Sequence, residues 1–252
     1  MLVPLLTNLF VYLLIMAAPL QVGAKLPASA TGDKAKIVKT RMLRAFGGKK
    51  DLSKIESITY TLSRKTYKEG DTVSTKQLWY MHLQQPLVVR LDITGTDTTA
   101  VATTTYKEGK DTTNEAKAAY EALLRARFFN FLYLLTTPEA EFTYLSQSTY
   151  RNSPVDIVRV TSSQNAQWTL DLFVNKKGEV VTSSSVNPTS GKYERFGDEY
   201  AYEKVAGNIV FPLQYRIVQQ DKVLSEGLFS ELQVNKLSPA WEKQLKRLGI
   251  GL

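Results

Sequence analysis

Cysteine is absent from the 252 residues, and histidine occurs once, at His82. The first absence excludes disulfides, thiol nucleophiles and thiolate metal sites. It leaves the compartment open, because oxidising compartments permit disulfides without demanding them. The second removes imidazole-rich metal centres and any set of histidine general bases. No metal and no cofactor is therefore expected. The usual catalytic signatures are missing as well: there is no Gly-x-Ser-x-Gly elbow, no phosphate loop and no acidic cluster at metal-ligand spacing. Asp92 with Asp97, and Glu139 with Glu141, read as ordinary solvated charge. His82 on a strand could serve a serine or an aspartate, but a lone imidazole is more often structural. No catalytic residue is assigned, and the chain is read as a non-enzyme.

Acidic residues are the scarcer charge: 24 Asp and Glu stand against 32 Lys and Arg, for a net charge of +8 and a pI near 9.4. This is either a plain soluble surface or an attraction to anionic partners such as lipid headgroups or acidic glycans. Long apolar runs are also scarce. The unbroken one, Leu9 to Ala18, sits in a charge-free stretch over residues 1–24, and Val22-Gly23-Ala24 before Lys25 fits a small-x-small cleavage site; Ala28-Ser29-Ala30 is a second candidate. The run is too short for a comfortable membrane span. Residues 1–24 are read as a cleaved signal peptide and 25–252 as a single exported domain. Without cysteine after the run, the mature chain is not lipid-anchored at an N-terminal thiol. Export leaves nucleic acid without a role as a partner, and a chain of this length buries on the order of 70% of its unfolded surface without staples.

What is present is alternation. A first helix carries Val38, Met42 and Phe46 four apart, is crowded by Lys36, Lys39, Arg41 and Arg44, opens near Thr31 or Asp33 and stops at Gly47-Gly48. Strands follow: Ile58, Tyr60 and Leu62 share a face, then Trp79, Met81 and Leu83, then Leu87, Val89, Leu91 and Ile93, then the threonine-rich stretch from Thr99 to Tyr106. A second block runs from Phe142 to Asn235, with turns at Lys176-Lys177-Gly178-Glu179 and Gly207-Asn208. Ser238-Pro239 opens a short last helix with Trp241, Leu245 and Leu248 aligned. Between the blocks the spacing predicts a helix from Glu115 to Leu135, amphipathic in its first half. Its second half, from Phe128 to Leu135, leaves only Asn130 polar. Such an end is either deep core or the lining of an apolar cavity. About ten or eleven antiparallel strands must curl to bury one face. The expected fold is mainly β (α+β): an open, curled antiparallel half-barrel with helices covering its concave side.

The pattern resembles the LolA-like family of periplasmic lipoprotein carriers across nearly all of the mature chain. The likeness lies in Ala45-Phe46-Gly47-Gly48 closing the first helix, the strand from Ile55 to Tyr60, the Phe128-Phe129 helix end, Gly207-Asn208-Ile209-Val210-Phe211-Pro212, and Phe229 to Asn235. It implies a periplasmic protein whose cavity takes acyl chains: a lipid or lipoprotein binder, with transfer between inner and outer membrane as its extension. An alternative within the same fold is a lipid-sensing or interaction domain that regulates a membrane-protein partner. The carriers rely on a positioned arginine in the lid region; Arg64 and Arg90 are candidates only as basic residues of the first half. The expected partners are a lipid or an acylated protein, and the expected state is a monomer. The candidate cavity residues are Trp79, Met81, Val89, Leu91, Phe128, Phe131, Leu132, Trp168, Leu170, Phe211 and Leu213, each of which would also serve as plain core.

Overall fold

The computed structural model describes residues 28–85, 87–94, 97–105, 127–128, 130–163, 168–186, 193–219 and 222–249. The apolar N-terminal stretch, the first half of the central helix, Phe129 and the Asn187 to Gly191 loop lie outside these. Helix α1 runs Ala28–Ala45 and α2 Lys49–Leu52; β1 is Ser57–Lys68, β2 Asp71–His82, β3 Leu87–Thr94 and β4 Asp97–Thr105. Helix α3 is Phe131–Thr136. The second block holds β5 Ala140–Tyr150, β6 Ser153–Ser162, β7 Thr169–Asn175, β8 Val180–Val186, β9 Tyr193–Ala206, β10 Ile209–Gln219 and β11 Lys222–Val234, and α4 Pro239–Arg247 follows.

All the strands belong to one antiparallel sheet, 11-stranded, in the order β4-β3-β2-β1-β11-β10-β9-β8-β7-β6-β5. Each strand lies beside its neighbour in sequence, with two exceptions that define the topology. The pairing of β1 with β11 joins the two blocks, and β4 and β5, consecutive in sequence, sit at opposite edges. The sheet is therefore an open, curled half-barrel, as expected.

Where turns needed positive φ the sequence supplied it, though not always as glycine. Lys68 pairs with Asp71 across Glu69-Gly70, and Gly70 has φ 76°. Arg151 and Asn152 turn β5 into β6 at φ 48° and 63° with no glycine, so this hairpin carries no glycine signal in the sequence. Asn235, at φ 52°, ends β11. Its Oδ1 accepts from the backbone N–H of Glu56 at 2.7 Å and of Ser57 at 3.1 Å, and its Nδ2 donates to the Lys54 carbonyl at 2.7 Å. One side chain thus seals the start of β1 to the end of β11.

Two departures from the sequence reading concern helices. The helix read as continuous from Glu115 to Leu135 is broken at Asn130, which has extended backbone (φ −94°, ψ 114°). Its Oδ1 accepts from Leu132 N–H at 3.0 Å and Tyr133 N–H at 3.4 Å, so the lone polar residue of that stretch is the N-cap of a new helix. Periodicity alone cannot show this, because apolar spacing continues through the break. Second, α1 begins at Ala28, earlier than the Thr31 or Asp33 cap that the composition suggested.

The helices also divide between the two faces. Tyr60, Leu62, Met81, Phe131, Leu132, Leu170, Leu172 and Phe211 belong to the large inner core with Val38, Met42 and Phe46 of α1. Helix α4, whose position the sequence left open, lies on the outer face. Its Trp241 and Leu245 pack with Tyr80, Leu87, Val89 and Leu91, and Ser238 Oγ caps it by accepting from Trp241 N–H at 3.3 Å. Because both faces are covered here, β1 buries Thr59 and Thr61 (2% and 1% exposed) as well as Ile58 and Tyr60.

Helix α1 is held to the sheet around Arg41. Arg41 pairs with Asp156 at 2.6 Å, and the Tyr144 hydroxyl donates to the same carboxylate at 3.2 Å. Burial and Asp156 push the Tyr144 phenol up to about 12. The β7–β8 turn touches α1 so closely that a Cβ on Gly178 would lie 2.4 Å from the Arg41 carbonyl oxygen, and Gly178 has φ 93°. We expect Gly178→Ala to destabilise the fold by at least about 1–2 kcal/mol from backbone strain alone. Asn235→Ala should cost about 1–3 kcal/mol by orphaning main-chain groups. Urea unfolding of the two variants checks both values.

Candidate functional site

The site is built on the inner face where β1, β2, β10 and β11 lie side by side. Tyr60 pairs with Trp79, Leu62 with Phe229, and Tyr215 with Gly227, so these residues form one continuous row under the roof. All of them but Gly227, together with Phe131 of α3, Leu170, Tyr200, Phe211 and Ile217 and the polar Asn130 and Ser183, wall a cavity of about 290 Å³. The wall is largely aromatic. Phe229 meets Tyr60 edge-on at 5.1 Å and Phe211 edge-on at 5.5 Å; Phe131 meets Tyr200 at 5.4 Å, and Tyr60 stacks on Trp79 at 6.1 Å. The Tyr215 ring lies where a side chain on its neighbour would go: a Cβ on Gly227 would fall 2.1 Å from it. That glycine is required by close approach, because its φ is ordinary.

Of the candidate residues, Trp79, Phe131, Leu170 and Phe211 come together on the cavity wall. Met81 and Leu132 are buried in the inner core beneath it, Met81 Sδ receiving the Asn130 amide at 3.8 Å. Phe128 packs on Trp168 at 5.8 Å, also in the inner core, and Leu213 lies half-buried against it. Val89 and Leu91 are on the other side of the sheet, beneath α4. The register explains this: Tyr80 pairs with Val89 and Met81 with Val88, so the inner residues of β3 are Val88 and Arg90. The apolar alternation of β3 (Leu87, Val89, Leu91, Ile93) runs on its outer face, and the sequence does not say what covers that face.

Tyr60, Leu62, Tyr215, Ile217 and Phe229 line the cavity and were not singled out. The signal was available in part: Tyr60 and Leu62 share the face of Ile58, and Tyr215 and Ile217 continue the alternation of Phe211. Knowing that β1 pairs with β11 is what unites them.

The wall is uncharged and its rim is not. Burial, then the neighbouring Tyr215, pushes the Tyr60 phenol far above the ordinary range; burial also raises Tyr215, against the opposing pull of Arg64. Both phenols are neutral at any physiological pH. Arg64, exposed, continues the inner row two residues beyond Leu62, opposite Gly227; its Nε donates to Ser225 Oγ at 2.9 Å. Arg90 lies beside Trp79 with its guanidinium 6.0 Å from the ring and its Nε 3.4 Å from Asp92. Gln77 donates to Asp92 at 2.9 Å and accepts from the Trp79 indole N–H at 3.1 Å, which fixes the indole's orientation. Neither arginine lines the cavity itself; Arg64 lies two residues along β1 from Leu62 and Arg90 lies beside Trp79, each next to a residue that does.

Among the described residues no three His, Asp or Glu side chains group as metal ligands. His82 has a local structural job: its Nδ1 accepts the Gln85 N–H at 2.9 Å in the β2–β3 turn.

An open antiparallel half-barrel roofed by helices over an apolar cavity is the architecture of the LolA-like proteins, and the chain has that fold. No protein-family model matches the sequence, and no curated protein matches it in sequence. Its likeness is to solved structures. A LolA superfamily protein from Nitrosomonas europaea superposes with a TM-score of 0.50 at 10% identity, covering 82% of this chain and 96% of that one. An outer membrane lipoprotein-sorting protein domain from Vibrio parahaemolyticus gives 0.50 at 12% identity, covering 87% and 99%.

Burial lowers the His82 pKa in the folded protein, opposed by Glu56 and reinforced by Arg127. As pH falls, the unfolded chain takes the proton first, so stability is lost from about pH 6.5 downward as the unfolded imidazole titrates. We expect the urea midpoint to fall between pH 7.5 and 5.5, and to fall less in His82→Asn.

Proposed function

We propose that the chain is an exported, periplasmic binding protein that holds a lipid, or the acyl part of a lipoprotein, in the inner cavity, and that delivery of this cargo between inner and outer membrane is its role. The observation that carries the reading is a cavity of about 290 Å³ walled mainly by aromatic and aliphatic side chains and by no charged one among the described residues. Each methylene moved from water into such a wall contributes about 0.8 kcal/mol. The wall favours hydrocarbon because most of its surface is aromatic or aliphatic, with Asn130 and Ser183 its only non-aromatic polar residues among those described. The LolA-like fold supports the reading, since it supplies a cavity between roof and sheet. Among the described residues no helix is long and apolar enough to cross a membrane.

The size of the cavity favours a second reading beside this one. At about 290 Å³ it sits at the lower end of the ~300–1,000 Å³ range of ligand pockets. That suits one chain better than several, and a single-chain occupant fits a sensor whose roof responds to lipid and engages a membrane-protein partner. The two readings separate by exchange. A carrier passes bound lipid to acceptor vesicles, whereas a sensor keeps it until its partner is present.

Residues 25–252 are taken as the mature domain. Cleavage at Ala30 would remove the first turn of α1, whereas cleavage at Ala24 leaves the helix whole. N-terminal sequencing of the exported protein is expected to begin at Lys25; a start at Thr31 would contradict this. For the cavity, Ile217→Trp fills part of the space from its partly exposed side. We expect it to weaken binding of a fluorescent fatty acid by about tenfold or more, equivalent to about 1.4 kcal/mol, without lowering the melting temperature. Unchanged binding would remove the cavity from consideration.

A further inference from the structure

Strand β11 holds one residue more than its partner requires. Thr59 pairs with Gln233 and Thr61 with Ser230, so a two-residue step on β1 is matched by a three-residue step on β11. Inside this step sits Glu231, whose φ of 54° puts a non-glycine residue in the left-handed region. Such a backbone is sparsely populated and persists only where its surroundings impose it. Its consequence is sidedness. Phe229, opposite Leu62, faces the roof, and strict alternation would carry Glu231 and Gln233 to that same face, among the aromatics of the cavity. The bulge turns them out. Gln233 lies opposite outward-facing Thr59, and the Thr61 hydroxyl donates to Glu231 Oε2 at 2.7 Å.

They do not emerge onto open surface. Helix α4 crosses the same outer face and leaves a cleft of about 460 Å³ between itself and β1, β2 and β11. Thr59 and Thr61 form its floor; Glu231 and Gln233 face Trp241 and Gln244 across it. Among the described residues no lysine or arginine lines the cleft, in a chain whose net charge is +8. It lies on the opposite face of the sheet from the inner cavity, and among the described residues the two share only Tyr60, a residue of the strand between them.

The polar groups decide what fits. Two carboxamides (Gln233, Gln244), three hydroxyls (Thr59, Thr61, Ser238) and the Glu231 carboxylate set donors and acceptors side by side. A hydrocarbon would give the two carboxamides nothing to pair with. An acidic ligand would meet the Glu231 carboxylate with no cation to offset it. A bare cation would use the carboxylate and leave the amide donors idle. Groups that both donate and accept satisfy the whole set, with the buried Trp241 as an apolar wall. We infer that this outer cleft is a second binding site, for a saccharide bearing hydroxyl or amino groups and no acidic ones.

The test is a titration of isotope-labelled protein with glucosamine oligosaccharides, followed by NMR at Thr59, Thr61 and the Trp241 indole. Saturable shifts at these positions are expected, with oligogalacturonate of equal length producing none there and a saturating fatty acid leaving the affinity unchanged. Gln244→Ala, on the half-exposed side of α4, and Glu231→Gly, which suits the left-handed backbone while removing the carboxylate, should each weaken binding about tenfold. Absence of shifts at the cleft, equal shifts from the acidic oligomer, or undiminished affinity in Gln244→Ala would overturn the inference.

Discussion

Phe46 holds the roof to the sheet. Its ring meets Phe131 of α3 edge-on at 6.0 Å and Tyr202 of β9 at 5.5 Å, and its carbonyl accepts the Val210 N–H at 3.1 Å. The next residue, Gly47 at φ 127°, lies so close to the β9–β10 turn that a Cβ would sit 2.8 Å from the Asn208 carbonyl oxygen. One residue therefore joins α1, α3 and the middle of the sheet, and a glycine beside it allows the approach. Everything above the inner face takes its height from this joint. A cavity persists because the roof is held by contacts at its margin, and the Tyr202 hydroxyl, donating to the Val180 carbonyl at 2.7 Å, keeps that margin from sliding.

The two short motifs that suggested the fold from sequence are the two sides of this joint. Ala45-Phe46-Gly47-Gly48 ends α1, and Gly207-Asn208-Ile209-Val210-Phe211 forms the turn it docks on. The closing Asn235 has an equally concrete job at the seam between β1 and β11. Such residues were legible because each answers a backbone demand that few side chains meet. Strand alternation was legible for a similar reason: a sheet with one dry face imposes a period of two on its strands.

What stayed hidden is non-local or lacks a residue-level mark. Nothing in the spacing of Leu87, Val89 and Leu91 tells which helix covers them, and α4 proved to cover them from outside. The bulge at Glu231 reverses the sidedness of Gln233 without glycine or proline to announce it. The break at Asn130 sits inside an uninterrupted apolar pattern. About a third of the candidate cavity residues reached the wall, and the rest went to core on one face or the other. Composition marks what will be buried; register decides against what.

The two faces of one sheet thus carry opposite chemistry. The inner face offers hydrocarbon surface with neutralised phenols, and the outer face offers hydrogen-bonding groups under a capped helix. Both arise from the same strands, β1 and β11, whose pairing closes the middle of the sheet. The central claim, that the space beneath the roof receives an alkyl chain, is tested most directly by diffraction from crystals grown with a terminally brominated fatty acid. The account predicts an anomalous bromine peak enclosed by Tyr60, Phe131, Phe211 and Phe229, with the carboxylate toward Arg64 or Arg90. Bromine found only outside the sheet, with those four rings closed on one another, would contradict it.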